Sequence, residues 1–191
     1  KPYYQYASRL CARLPSPGQI KEVVDLPVIG IIKKDYEGTP MYITVTMKEV
    51  DALVACGVDI VAVQGTGARR PDGSSAPEFI RAVKEKYPQQ LVMADCATLE
   101  EGIACAEAGA DFVGTTMRGY TPETKGCDDI DYAFIHELSE KCPAKIIAEG
   151  HIHYPEQAKK ALEAGAFALV VGGAITRPAE ITSRFVSAIR K

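Results

Sequence analysis

Hydrophobic and polar positions repeat along this chain. The segments Thr46–Val63, Thr98–Thr115 and Tyr154–Val171 align without gaps, and each holds an amphipathic stretch, a glycine (Gly57, Gly109, Gly165) and a short unbroken apolar run. An apolar stripe of helical period predicts a surface helix, and an apolar run without alternation predicts a strand buried on both faces, as parallel strands are. Thr46 and Thr98 suit N-caps with carboxylates in the first turn, Pro155 suits a first helical position, and the three glycines suit C-caps. The segments begin 52 residues apart from Thr46 to Thr98 and 56 apart from Thr98 to Tyr154. That is about twice the length of one compact βα unit, so a further unit is expected between each pair. The runs Leu91–Asp95 and Lys145–Glu149 supply those strands.

The expected strands are therefore Val28–Lys33, Asp59–Gln64, Leu91–Asp95, Asp111–Thr115, Lys145–Glu149 and Phe167–Gly172. Alternating with helices, they predict an α/β fold: a TIM (β/α)8-type barrel with six βα units readable and the first two strands missing or altered. Residues 1–19 have no assigned place, Gly18–Val24 is helix-like, and the whole of 1–191 is taken as one domain. An open doubly wound sheet also accepts six parallel strands. The barrel is preferred because the last apolar run, Val170-Val171, leads into Gly172-Gly173-Ala174-Ile175-Thr176-Arg177. Paired glycines entering a helix let backbone N–H groups approach an anion, and the loops after a barrel's final strands are its usual phosphate site. Arg177 adds a cationic fork.

Composition narrows the setting. With 191 residues, 47% hydrophobic, and a formal charge of −3, the chain fits a globular domain rather than a basic nucleic-acid binder. No apolar run approaches the ~20 residues of a membrane helix, and Lys1–Tyr6 does not resemble a signal peptide, so a cytoplasmic location is expected. Six cysteines without a Cys-x-x-Cys motif read as reduced thiols.

Candidate chemistry gathers where the apolar runs end. Lys33, Gln64, Asp95, Thr115 with Thr116, Glu149 and the Gly172-Gly173 pair close successive strands, and the carboxyl ends of barrel strands converge on one mouth. Lys33, Asp95 and Glu149 together offer one ammonium and two carboxylates around a phosphate-anchored ligand. That set suits proton abstraction beside a carbonyl; it lacks the signature of acyl transfer. His151 and His153 follow Glu149, but the remaining histidine, His136, lies in a helical pattern, so rim or hydrogen-bonding roles are expected and no metal is assigned. Gly65-Thr66-Gly67 lacks the spacing of a dinucleotide fingerprint, and Arg69 and Arg70 read as solvent-facing loop charges.

Several blocks in one order carry a resemblance: Val24 through Tyr36, Ile43-Thr44, Thr46 through Asp51, Arg70-Pro71-Asp72-Gly73, Met93-Ala94-Asp95-Cys96, Gly114-Thr115-Thr116 with Gly119-Tyr120-Thr121, Ile147-Ala148-Glu149-Gly150, and Val170 through Pro178. From about Ile20 to the carboxyl terminus the chain resembles the N-acetylmannosamine-6-phosphate 2-epimerase family. The resemblance implies a bacterial TIM-barrel isomerase that inverts carbon 2 of a phosphorylated N-acetylhexosamine in sialic acid catabolism, with no cofactor. It implies Lys33 and Glu149 as catalytic residues, and Asp95, Gln64, Thr115, Gly150, Gly172, Gly173 and Arg177 as substrate-binding residues. No metal, membrane or nucleic acid is expected, and a homodimer is. Gln64 stands where the family usually carries aspartate and Lys34 where it carries arginine. The residues alone leave two alternatives: another phosphosugar isomerase or lyase, including one using a Schiff-base lysine, and a phosphosugar-binding protein without catalysis.

Overall fold

The structure is a computed structural model that describes residues 20–23 and 25–190. Residues 1–19 therefore lie outside the description; of the expected helix-like stretch Gly18–Val24, residues 20–23 are described and make one turn, with the Val23 N–H donating to the Ile20 carbonyl at 3.1 Å. Among the described residues six strands form one parallel sheet whose order is the chain order. They are β1 (Ile29–Gly30), β2 (Ile60–Gln64), β3 (Leu91–Asp95), β4 (Phe112–Gly114), β5 (Lys145–Glu149) and β6 (Ala168–Val170). Helices alternate with them: α1 (Met47–Ala55), α2 (Ala76–Lys86), α3 (Leu99–Glu107), α4 (Tyr132–Lys141), α5 (Pro155–Glu163), α6 (Gly173–Thr176) and α7 (Pro178–Ile189). The result is a half-barrel. No helix of the described residues is long and apolar enough to cross a membrane.

The helices start and stop where local chemistry requires. At Thr98 the side chain accepts the Glu101 N–H (3.3 Å) while the Glu101 carboxylate accepts the Thr98 N–H (3.1 Å), a reciprocal capping box. The Glu49 carboxylate takes the Thr46 N–H in the same way at 3.0 Å. Gly57, Gly109 and Gly165 adopt φ of 73°, 108° and 107°, which a side chain would strain, and so each ends its helix and turns the chain back to the sheet.

Alternate strand residues face opposite layers. Ile29, Ile60, Ala62, Met93, Phe112, Ile147, Ala168 and Val170 pack together on the concave face. Val61, Val63, Val92, Ala94, Val113 and Ile146 face the helices, where they meet Val50, Leu53, Phe79, Ile80, Val83 and Leu138. Strand β1 is shorter than expected. Past Gly30 the chain leaves the β2 ladder and pairs with its own returning segment, Lys33 opposite Ile43 in antiparallel sense. Strands β4 and β6 each fall short of the expected bounds by a few residues, β6 because Gly172 and Gly173 already turn into α6.

Helices α3 and α4 pack closely because Gly102 has no side chain: a Cβ there would lie 2.7 Å from Leu138 Cδ2 and 3.2 Å from Val113 Cγ1. Helix propensity alone favours Gly102→Ala by about 0.5–1 kcal/mol, whereas overpacking a closed core costs about 1–3 kcal/mol. The clash should win, and thermal melts of Gly102→Ala are expected to show a Tm lower than wild type by a few degrees, about 2–4 °C per kcal/mol. A raised Tm would mean that the helix pair has slack.

Candidate active site

Lys33, Asp95 and Glu149 share one cavity because each continues the concave parity of its strand: Ile29, Ile31, Lys33 from β1; Met93, Asp95 on β3; Ile147, Glu149 on β5. The cavity, about 600 Å³, opens at the carboxyl ends of the strands. Its floor is Ile29, Ala62, Met93 and Val170, and Gly172, Gly173 and Arg177 lie along its rim. An apolar floor with a few convergent ionisable groups is the usual form of a small-molecule site.

Asp95 is the buried member, 1% exposed. Desolvation first, and the nearby Glu149 charge second, push its carboxyl from 3.8 up to about 8, against the pull of the Thr116 hydroxyl and of Lys33. Near neutral pH Asp95 therefore keeps a proton and can donate a hydrogen bond. The Thr116 hydroxyl donates to Asp95 Oδ1 at 2.7 Å. Space for this carboxyl is made on β4: a Cβ on Gly114 would lie 2.7 Å from Asp95 Oδ1 and 2.5 Å from Met93 Cε. Glu149 is half-buried, and its backbone is braced by Thr115, whose hydroxyl donates to the Glu149 carbonyl at 2.8 Å and accepts the Glu149 N–H at 3.0 Å. Gly150 and His151 follow with φ of 98° and 57°, a sharp turn that keeps both on the cavity wall.

At the rim, Arg177 Nη1 pairs with Glu180 Oε1 at 2.6 Å, and both side chains are exposed. The Glu180 carboxylate also lies against Gly173, where a Cβ would meet its Oε2 at 2.6 Å. A carboxylate thus sits beside the glycines and the guanidinium that are the candidate phosphate groups.

Of the expected site residues, Lys33, Asp95, Glu149, Gly150, Gly172, Gly173 and Arg177 line the cavity. Gln64 and Thr115, expected as substrate contacts, do not line it. Gln64 is 2% exposed, and its amide is taken up by the Tyr42 and Ile43 N–H groups and the Thr66 hydroxyl. Thr115 has the wrong parity: counted from Phe112, the concave positions are Gly114 and Thr116. Arg70 also departs from expectation. It is buried, its guanidinium lies 4.0 Å from the centre of the Phe79 ring, and Nη2 donates to the Gln64 carbonyl at 2.8 Å. Burial lowers it to about 10, which leaves it charged at neutral pH. Residues absent from the expected set also line the cavity: Tyr42, whose ring centre is 5.2 Å from Lys33 Nζ, and Tyr120, which stacks on His151 at 5.6 Å. Thr116 was signalled by strand parity; Tyr42 and Tyr120 had no periodic signal.

Parallel strands in chain order, with their carboxyl ends around one cavity, define an enzyme of the (β/α)-barrel class. Residues 16–191 match the family described as "Putative N-acetylmannosamine-6-phosphate epimerase", and the chain belongs to that family. A protein of Caldanaerobacter subterraneus subsp. tengcongensis named as an N-acetylmannosamine-6-phosphate 2-epimerase, with the same qualifier, is 52% identical over 172 residues, covering 90% of this chain and 73% of the relative. A Staphylococcus haemolyticus protein of the same name is 46% identical over 174 residues, covering 90% and 78%. The solved N-acetylmannosamine-6-phosphate 2-epimerase from Clostridium perfringens superposes with a TM-score of 0.84 at 44% identity, covering 90% of this chain and 74% of that one. At 19% identity, the thiamine phosphate pyrophosphorylase of Pyrococcus furiosus (TM-score 0.57) shares the fold alone.

The raised Asp95 carboxyl has a consequence for stability. Between about pH 4 and 8 the unfolded chain has released this proton and the folded protein retains it, so stability falls as pH rises through that window. Asp95→Asn keeps a hydrogen-bonding side chain and removes the titration. From pH 5 to 8 the Tm of wild type is expected to drop more than that of Asp95→Asn. Parallel curves for the two proteins would show that Asp95 titrates normally.

Proposed function

We propose that this chain is a 2-epimerase that interconverts N-acetylmannosamine-6-phosphate and N-acetylglucosamine-6-phosphate, an isomerase of amino sugar breakdown. The observation that carries the reading is the meeting of Lys33, Asp95 and Glu149 in one cavity whose rim holds Gly172, Gly173 and Arg177. The names of relatives about half identical to the chain support the same substrate.

The chemistry follows from the substrate. Opening the sugar ring breaks the bond between carbon 1 and the ring oxygen, which gains a proton while the carbon 1 hydroxyl loses one. The aldehyde so formed acidifies the proton on carbon 2. A base removes that proton, the electron pair moves onto the carbonyl oxygen as an enolate, and return of a proton to the other face of carbon 2 inverts it. Lys33 and Glu149 are assigned to proton transfer, since both reach the cavity and both can exchange protons in water-accessible positions. Asp95, protonated near neutral pH, is assigned to a substrate oxygen as a hydrogen-bond donor, a role an ionised carboxylate cannot fill. The phosphate is assigned to the Gly172 and Gly173 backbone with Arg177, displacing the Glu180 carboxylate from the guanidinium. The exposed Arg177–Glu180 pair is worth little in water, so a phosphate dianion with two or more contacts outcompetes it.

Incubation with N-acetylmannosamine-6-phosphate in deuterated water tests the reaction, because proton return from an exchanging group places deuterium on carbon 2. Formation of the epimer with deuterium there is expected; no epimer and no deuterium would sink the reading. Lys33→Ala and Glu149→Gln should each lower turnover by about 10²–10⁴-fold with the fold intact, and near-wild-type rates would remove the residue from proton transfer. Arg177→Ala should weaken the phosphorylated sugar by about ten- to a hundredfold, the worth of a charge-assisted contact of about 1.5–3 kcal/mol. The unphosphorylated sugar should bind equally poorly to both proteins. Equal losses for both sugars would assign Arg177 to the fold.

A further inference from the structure

Between Lys33 and α1 the chain makes a strap, residues 34–45, that returns across the carboxyl end of β1. Lys33 leads directly into this strap and is paired with its returning arm: Lys34 N–H donates to the Tyr42 carbonyl at 2.9 Å and Thr44 N–H to the Ile32 carbonyl at 2.8 Å. The Thr44 hydroxyl accepts the Ile32 N–H at 3.2 Å, and Thr44 holds φ of 40°, a backbone conformation that a β-branched residue adopts only when its surroundings impose it.

What imposes it is on β2. Gln64 is the last residue of that strand, and it holds the strap by three bonds: its Oε1 accepts the Tyr42 N–H (2.9 Å) and the Ile43 N–H (3.3 Å), and its backbone N–H donates to the Ile43 carbonyl (3.0 Å). The amide is fixed in turn, since Nε2 donates to the Thr66 hydroxyl at 3.0 Å and the buried Arg70 guanidinium holds the Gln64 carbonyl at 2.8 Å. Ile43 is fully buried. Tyr42, carried on the same arm, presents its ring to the Lys33 ammonium at 5.2 Å, close enough for a cation–π attraction.

We propose that Gln64 is the positioning residue for Lys33: by fastening Tyr42 and Ile43 to the end of β2, it sets where the Lys33 ammonium stands in the cavity without touching substrate. The inference rests on the reading of Lys33 as a proton-transfer group. Proton transfer depends steeply on placement, and an exposed lysine at the end of a strand has many rotamers to lose. A strap pinned from β2 limits them twice, through the backbone pairing of Lys33 with Ile43 and through the ring of Tyr42. The phosphate groups lie on the strand-end loop after β6, remote in the sheet from β2, so fastening acts on chemistry rather than on phosphate affinity.

The test compares Gln64→Leu, Gln64→Glu and Thr66→Val with wild type, reading kcat, KM for N-acetylmannosamine-6-phosphate, the pH profile of kcat, and the NMR titration of the Lys33 Nζ signal assigned by its loss in Lys33→Ala. Gln64→Leu keeps the volume but strands two buried N–H groups; it should lower kcat about tenfold or more, leave KM within about threefold, and move the Lys33 titration by about half a pH unit or more. Gln64→Glu keeps an oxygen for the Tyr42 and Ile43 N–H groups, and its second oxygen can accept a hydrogen bond from the Thr66 hydroxyl, so it should restore most of kcat. Should Gln64→Leu fail to fold, Thr66→Val, which removes only the anchor of Nε2, should shift kcat and titration in the same direction by less. A lower Tm with unchanged kcat, pH profile and Lys33 titration would overturn the proposal and leave Gln64 a fold residue. A rise in KM with kcat preserved would also overturn it and make Gln64 a substrate contact. Should Lys33→Ala keep its turnover, the proton-transfer reading of Lys33 fails, and the Lys33 titration in Gln64→Leu decides the fastening alone.

Discussion

The site depends on one geometric constraint: in a strand, residues two apart share a face. In a curved parallel sheet the concave faces of all strands look at one another, so an ionisable residue that ends a concave series is brought to the same cavity as its counterparts on other strands. Lys33, Asp95 and Glu149 come from three different βα units and meet on this shared face. The constraint also carries a cost. A carboxyl that closes a central strand is desolvated by its neighbours, and Asp95 responds by holding its proton. A glycine on β4, the strand beside it, then becomes part of the site, since any side chain there would enter the volume of the carboxyl.

Much of this was legible in the sequence. Strands β3 and β5 have the bounds expected from their apolar runs, and the capping residues of α1 and α3 stand where their threonines are. Lys33, Asp95 and Glu149 could be found because each is a polar residue closing an apolar run. Thr116 in place of Thr115 was readable too, by carrying the period of two forward from Phe112. What was not legible shares a single character: a polar side chain captured inside the fold by groups outside its own strand or loop pattern. Gln64 spends its amide on Tyr42 and Ile43, and Arg70, in a loop of charged and turn residues, folds under that loop onto Phe79. Neither periodicity nor motif encodes such captures, because they arise only from the tertiary packing around β2.

The strap after β1 shows how a strand that ends early hands its next residues to a local pairing. Two residues of ladder are enough to place β1 against β2, with Ile29 opposite Ile60 and Gly30 opposite Val61. Beyond them the backbone groups of Ile32 and Lys34 turn to the strap instead of to the neighbouring strand. The lysine is thereby held by a local hairpin-like pairing rather than by the sheet.

Strand order that follows chain order has a kinetic meaning as well. Among the described strands every parallel pair, β1 with β2 through β5 with β6, is joined by a single helical crossover, so closing each pair requires a loop of one βα unit. The entropy of closure is met in modest steps, and among the six described strands none pairs with a partner further away than its neighbour in the chain. Sheet growth can therefore keep pace with a chain leaving the ribosome, each new strand finding its edge already formed by the one before it.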